Sequence, residues 1–340
     1  MTRTGHNALS LHTQYRAAAE LIEAADSVTV VSHLRPDADA IGSVTATVEA
    51  MQQMGKKARG YIGQTDPMPA NLLTIPGAED IVFTSTLPAS DLTIVVDCGS
   101  IERTGDFEQA IVERRGQTLM VDHHATNPGF GVVNLIDTHA ESTTTILMDF
   151  FDHLAVQTTK SIAHGLYAGL LTDTGCFRWG RPVMHDMAKQ LMEYDLDIRD
   201  ISAELIDKTS LTDLRLVGQI ISRIEMHRAG PYQLAVLVAD YATINGHSKT
   251  AVEGLIETVR AVDGADFGAV FKEYEPGVFT VSLRSSQLSV GSLAVHLGGG
   301  GHVPAAGYTA RGTELEALDT LITAAVELGE TLNCSSVISS

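Results

Sequence analysis

The run Val28-Thr29-Val30-Val31-Ser32-His33-Leu34-Arg35-Pro36-Asp37-Ala38-Asp39 decides the fold class of this chain. A short β-branched stretch reads as a buried strand, and here it gives way to a proline-bearing acidic loop. The same grammar recurs along the chain. Thr118-Leu119-Met120-Val121 leads into Asp122-His123-His124, Thr93-Ile94-Val95-Val96 into Asp97, and the apolar stretch 165–171 (GLYAGLL) into Thr172-Asp173. Four apolar segments that each end in Asp or His imply one place where carboxylates and imidazoles converge. Carboxylates do not gather in a buried place without cations. The pattern therefore asks for metal.

Working outward, the spacing predicts an amphipathic helix over 14–26 and a helix over 41–55 closed by Gly55. It also predicts strands at 57–62, 92–96 and 118–121, with a helix near 106–115. Strands alternating with helices indicate an α/β fold, a mainly parallel sheet with helices on both faces. Ligands in such sheets bind beyond the carboxyl ends of the strands. Asp37 and Asp39, one residue apart, are expected in a turn that lets them face different ions. The stretch 163–171 fits a buried strand or a buried helix alike.

Residues 185–228 read as helices without obvious chemistry. Gly230-Pro231 then opens a new β pattern, 233–240 followed by 267–286, with a hairpin at Glu275-Pro276-Gly277. A helix near 290–297, the loop Gly298-Gly299-Gly300-Gly301-His302, a helix from about 313 to 330 and a frayed tail, 333–340, complete the chain. The expected division is a metal-binding domain over 1–189, a helical linker over 190–214 and a second, smaller α/β domain over 215–340.

Composition narrows the partners. A 340-residue chain with 44% hydrophobic and 19% charged residues suits a globular enzyme of two domains. No apolar run reaches the roughly 20 residues of a membrane span, and the N-terminus lacks the apolar core of a signal peptide, so a cytoplasmic protein is expected. Three cysteines without paired spacing disfavour both a disulfide framework and a cysteine zinc site. A net charge of −19 argues against a long duplex groove, which relies on Lys and Arg. A short phosphorylated ligand stays open, since a few arginines and bound cations invert the local field.

A lone Asp after a strand is commonly a turn former or a helix cap, and His139 and His153 read as surface or satisfied core groups. The combination is different. Asp37, Asp39, Asp97 and Asp173 carry four negative charges, enough to balance two divalent cations, and His33 and His123 add imidazoles. Oxygen-rich ligation without cysteine favours Mn²⁺ or Mg²⁺ over zinc, and the imidazoles tilt it to Mn²⁺. Two such ions stabilise the attacking and leaving oxygens of a displacement at phosphorus.

With these motifs in view, the chain resembles the DHH phosphoesterase superfamily, in the subgroup with the DHH-associated C-terminal domain. The motifs are SHLRPDADAIGS from Ser32, VVDCGS from Val95, VDHHATN from Val121, LLTDTGCFRW from Leu170, SLRSS from Ser282 and GGGGHVPAAG from Gly298. Bacterial oligoribonuclease and pAp-phosphatase proteins (nanoRNases) share this set. The resemblance implies that His33, Asp37 and Asp97 hold one manganese and that Asp39, Asp97, His123 and Asp173 hold the other, with Mg²⁺ or Co²⁺ as substitutes. It implies that Asp122 orients a ligand imidazole and that His124 faces the substrate, making Asp97, Asp122 and His124 the catalytic set.

Successive glycine amides can form an anion nest. Gly299, Gly300 and Gly301, with Arg284, Ser285 and His302, resemble the family's nucleotide clamp, and Arg178 is a candidate contact from the first domain. A cleft between two domains suits short substrates: very short oligoribonucleotides, linear or cyclic dinucleotides, and pAp. The activity implied is release of nucleotides from pApA and removal of the 3′-phosphate of pAp, with c-di-AMP as a further substrate and a homodimer as the assembly. Two alternatives remain at this stage. A manganese inorganic pyrophosphatase would need a Lys/Arg-dense pocket, but residues 279–310 hold only Arg284. A non-catalytic nucleotide sensor would be expected to lose metal ligands, and none is missing.

Overall fold

The structure, a computed structural model, describes residues 5–207, 209–247 and 249–329; the tail 333–340 lies outside the described residues. It divides into two compact units, Met1–Lys208 and Thr209–Ser340.

The first unit runs α1 (Gly5–Ala24), β1 (Ser27–Ser32), α2 (Ala38–Gln53), β2 (Lys57–Ile62), β3 (Val82–Phe83), β4 (Leu92–Val96), α3 (Glu108–Glu113), β5 (Thr118–Asp122), β6 (Val133–Ile136), α4 (Thr143–His153), α5 (Lys160–Asp173), α6 (Val183–Met192) and α7 (Ile198–Ser202). Its six strands form a sheet in the order β3-β2-β1-β4-β5-β6, and every pair is parallel. Alternate residues of the strands enter different cores. Val28, Val30, Ile94, Val96, Leu119 and Val121 pack with Ile41, Ile146 and Phe150 from the helices of one face. Val31, Val95 and Met120 pack with Phe107 and Ile111 on the other. Burial on both faces explains the near-continuous apolar strands that opened the reading. The strand order reverses between β1 and β4, and the crevice beyond their carboxyl ends is where such sheets bind ligands. His33 and Asp97 sit there, just past the two strand ends.

Two local expectations change. Asp37 and Asp39 do not share a turn. Asp37 is the N-cap of α2, accepting the Ala40 N–H at 3.0 Å, and Asp39 stands in its first helical turn. The ambiguous stretch 163–171 is helix, with Asp173 its last residue. Among the described residues, no helix is long and apolar enough to cross a membrane.

The second unit runs α8 (Leu211–Ile221), β7 (Glu225–Ala229), β8 (Tyr232–Ala239), α9 (Tyr241–Ile244), α10 (Lys249–Glu253), α11 (Leu255–Arg260), β9 (Phe267–Glu275), β10 (Val278–Arg284), α12 (Val290–His296), β11 (Gly300–Gly301), β12 (Ala305–Arg311) and α13 (Glu314–Glu327). Its sheet, β11-β12-β10-β9-β8-β7, is antiparallel except for the β8–β9 pair. Residues 225–227, expected to close a helix, instead open β7, and Gly230-Pro231 is the hairpin turn between β7 and β8. A strand pairing there recruits Ala229 and Tyr232 into the core, which outweighs the local helical pattern.

Candidate metal centre

Three loops and two helices bring the acidic and imidazole groups of the first unit together. His33 is buried just beyond β1, and its Nε2 lies 3.4 Å from Asp97 Oδ2 and 3.7 Å from Asp37 Oδ2. His123, buried just after β5, has its Nε2 at 3.2 Å from Asp173 Oδ2, 3.7 Å from Asp97 Oδ1 and 4.0 Å from Asp39 Oδ2. The donor atoms of His33, Asp37 and Asp97 lie within 4.8 Å of one another, as do those of Asp39, His123 and Asp173. Asp97 turns one carboxylate oxygen to each group. Its backbone has φ 50, in the left-handed region, where Asp is tolerated better than most side chains but at a cost of about 1–3 kcal/mol. Strain at a residue that faces both donor groups marks a position selected for placement.

Burial alone would protonate these carboxylates. Asp39 is pushed well above the usual range by burial and by the negative charges of Asp97 and Asp173. Asp173 is raised by burial and by Asp37 and Asp97. Burial also acts to raise Asp97, but His33, His124 and His123 outweigh it and hold Asp97 well below. Burial and Arg103 act to lower His33, yet Asp37 and Asp97 raise it to about 9. Cations bound among these groups would relieve the same crowding of negative charge. Two nitrogen donors among four carboxylates, half of them strongly desolvated, fit a pair of divalent ions. Asp37 is the outlying donor, its side chain 59% exposed at the mouth of the group.

Glycines permit the convergence. A Cβ on Gly42 of α2 would come within 2.2 Å of the Gly165 carbonyl oxygen of α5, and a Cβ on Gly169 would lie 2.3 Å from Asp39 Oδ1. Only bare backbone lets α5 pass this close to Asp39. Asp39 is then held by α4: its Oδ2 accepts the Thr143 N–H at 2.7 Å and its Oδ1 the Thr144 N–H at 3.0 Å. These are N-terminal amides of a helix, natural partners of an anion. The Thr143 hydroxyl donates to Asp97 Oδ1 at 3.1 Å.

Sequence reasoning missed Gly169, Thr143 and Thr144. Their available signal was the polar run Ser142–Thr145 ahead of Ile146-Leu147, a helix start that the structure shows as a capping box. It missed Arg103 as well, whose guanidinium lies 2.9 Å from His33 Nδ1.

Asp122 has a different partner from the one expected. It is fully buried, and its Oδ1 accepts from His124 Nδ1 at 2.8 Å, while Oδ2 accepts from Asn127 Nδ2 at 2.7 Å. It orients His124, not the ring of His123, whose Nδ1 faces the Ala140 carbonyl at 3.4 Å. With Nδ1–H given to Asp122, a neutral His124 presents an Nε2 lone pair. His139 and His153 are exposed. Arg178 lies in the turn after α5, where its Nε donates to the Gly175 carbonyl at 2.6 Å and its guanidinium covers the Trp179 ring.

In the second unit, two expected substrate contacts have structural employment. Ser285 is buried. Its hydroxyl donates to the Asp266 carbonyl at 2.7 Å and accepts the Gln287 and Leu288 N–H groups at 3.0 and 2.8 Å, which uses its capacity. The glycine run is partly engaged by the fold. The Gly298 and Gly299 amides donate to Val295 and Ala294, closing α12, and Gly300 and Gly301 pair with Gly307 and Ala306 as β11. Glycine is needed there because a Cβ on Gly299 would meet the Gly307 carbonyl oxygen at 2.1 Å. His302 follows this strand, its N–H donating to Ala305 O at 2.7 Å. Arg284 ends β10, with its Nε 3.6 Å from Glu257 of α11.

Comparison with known proteins agrees with this architecture. Residues 27–170 match the DHH family, N-terminal domain, and residues 234–328 match the DHHA1 domain. The chain is 31% identical over 309 residues to the bifunctional oligoribonuclease and PAP phosphatase NrnA of Thermus thermophilus, covering 88% of this chain and 90% of that protein. It is 23% identical over 312 residues to the cyclic-di-AMP phosphodiesterase PdeA of Listeria monocytogenes, covering 85% of this chain and 45% of that one. An exopolyphosphatase-related protein from Bacteroides fragilis, known from a crystal structure, shares the fold with a TM-score of 0.82 at 22% identity, covering 94% of this chain and 97% of that one. By its motifs, its fold and this full-length relationship, the chain belongs to the DHH family and carries a DHHA1 domain behind its DHH domain.

Proposed function

We propose that this chain is a manganese-dependent phosphohydrolase that cleaves very short oligoribonucleotides such as pApA and removes the 3′-phosphate of pAp. One observation carries the reading: the two oxygens of Asp97 face two imidazole–carboxylate groups, the arrangement a bridging ligand of a two-ion site requires. His33, Asp37 and Asp97 would hold one ion, and Asp39, Asp97, His123 and Asp173 the other. Bound there, the ions supply an activated water and neutralise charge developing at phosphorus. His124, its Nδ1 held by Asp122, would face the phosphate through Nε2, and would assist the leaving oxygen as an acid only when Nε2 also carries a proton. Arg284, Ser285, Gly299, Gly300, Gly301, His302 and Arg178 are the proposed substrate contacts, with the Ser285 hydroxyl and the Gly299 amide also bonded within the fold.

The name of the Thermus thermophilus relative supports this substrate class. The Listeria monocytogenes relative supports c-di-AMP as a further substrate. A pyrophosphatase or a non-catalytic sensor is not favoured. A cytoplasmic homodimer without affinity for long duplexes or membranes completes the proposal. The test incubates the Mn²⁺-loaded protein with pAp, pApA, c-di-AMP, a pentaribonucleotide and pyrophosphate. Nucleotide release from pApA and pAp, abolished in the double variant Asp122→Ala/His123→Ala, is expected. Turnover of pyrophosphate alone would overturn the reading.

A further inference from the structure

Arg103 belongs to no donor group, yet the fold pins it beside one. It lies in the 3₁₀ turn Ile101–Phe107 after β4 and is exposed. Its N–H donates to the Ser100 carbonyl at 3.2 Å, and its own carbonyl accepts the Leu34 N–H at 2.7 Å. The second bond ties it to the residue next to His33. Its guanidinium stands 2.9 Å from His33 Nδ1, and the same nitrogen lies 2.8 Å from the Leu34 carbonyl oxygen.

One nitrogen cannot serve both neighbours. With a proton, Nδ1 donates to Leu34 O; with a lone pair, it accepts from Arg103. An imidazole that gives Nε2 to a cation keeps its proton on Nδ1 and serves the carbonyl. The donors of Arg103, exposed to solvent, then turn to water or to an acceptor that a ligand brings. A permanent positive charge beside a cation-binding imidazole also weakens that site unless an anion joins it. A planar guanidinium matches the oxygens of a phosphoryl group. We propose that Arg103 binds a phosphoryl group of the substrate on the His33 side of the donor set. This rests on the phosphoester reading above, and assigns a residue to it that the sequence motifs do not.

The test uses the full chain saturated with Mn²⁺ and compares Arg103→Gln and Arg103→Lys with the wild type. Arg115→Gln, an exposed change at the opposite end of β5, serves as control. Three quantities are read: the dissociation constant of AMP by calorimetry, the KM and kcat for pAp, and the affinity for Mn²⁺. Losing a charge-assisted hydrogen bond should weaken AMP binding and raise KM about 10- to 100-fold in Arg103→Gln. Mn²⁺ affinity should be unchanged or tighter, and Arg103→Lys should recover part of the loss. Wild-type AMP affinity in Arg103→Gln overturns the proposal. So does a loss of Mn²⁺ affinity with AMP binding intact at saturating Mn²⁺, which would make Arg103 a support of His33 alone. AMP binding decides the role of Arg103 even if the wild type cleaves neither pAp nor pApA, a failure that would strike only the substrate reading.

Discussion

Thr143 joins Asp39 to Asp97: its N–H donates to the first carboxylate at 2.7 Å and its hydroxyl to the second at 3.1 Å. One residue at the start of a helix thus fixes two carboxylates that belong to different donor groups. Thr143→Val keeps the backbone bond to Asp39 and removes the hydroxyl bond to Asp97. Loss of such an outer contact costs about 10- to 100-fold in metal affinity or activity. Mn²⁺ titration should show that loss with the circular dichroism spectrum unchanged; an unaltered affinity would remove Thr143 from the design of the site.

The bond from His124 Nδ1 to Asp122 fixes which ring nitrogen carries the proton. Asp122→Asn turns an acceptor into an amide that also has to satisfy Asn127. We expect kcat to fall about 10- to 100-fold, with KM for pAp little changed and Mn²⁺ still bound. A selective loss of Mn²⁺ instead would place Asp122 behind His123.

Two glycine-to-alanine exchanges in helices should have opposite signs. Gly169→Ala puts a methyl group 2.3 Å from Asp39 Oδ1 and 2.5 Å from Thr144 Oγ1. Overpacking of this kind costs about 1–3 kcal/mol, and displacement of Asp39 should lower Mn²⁺ affinity as well. Gly218→Ala in α8 meets no atom within 4 Å and should gain up to about 1 kcal/mol from helix propensity. Chemical denaturation of the two variants checks both signs.

Stability without metal should fall as pH rises. His33 is raised to about 9, against burial and Arg103, by Asp37 and Asp97. A raised group stabilises fully below its unfolded value of about 6.5 and loses that contribution as pH passes its folded value. The raised carboxyls of Asp39 and Asp173, favoured in their protonated forms, act in the same direction. In chelator, Tm should therefore drop between pH 6.5 and 9. With Mn²⁺ the trend should reverse, because ligands that shed protons bind cations better at higher pH. A chelated Tm that stays flat across this window would contradict the assignment of shared protons to the site.

Much of the site was legible in the chain because its donors lie at predictable ends of elements. A strand buried on both faces is a continuous apolar run, and the first polar residues after it must leave the sheet at its carboxyl edge. That places His33, Asp97 and His123 without knowledge of any long-range contact. Asp173 was legible only as a residue type, since a helix and a buried strand read alike over 163–171. Arg103 was illegible because nothing local distinguishes it from a surface arginine.

The second unit shows what a motif leaves open. The run Gly298–Gly301 suggested an anion nest, and Ser285 a substrate hydroxyl. A backbone amide is available to a ligand only if no carbonyl has claimed it, and those of Gly298 and Gly299 close α12.

The sequence by itself determined the alternation of strands and helices around β1, β4 and β5, the inventory of four carboxylates and two imidazoles, and hence the demand for cations at the carboxyl edge of a parallel sheet. Tertiary structure decided which carboxylate faces which imidazole, that Asp122 serves His124, that Asp39 rests on the amides of α4, and that Arg103 stands against His33. The division has a physical cause. Element type and residue chemistry are set by neighbours a few positions apart, whereas pairing depends on contacts such as Gly169 against Asp39 that exist only after distant helices have packed.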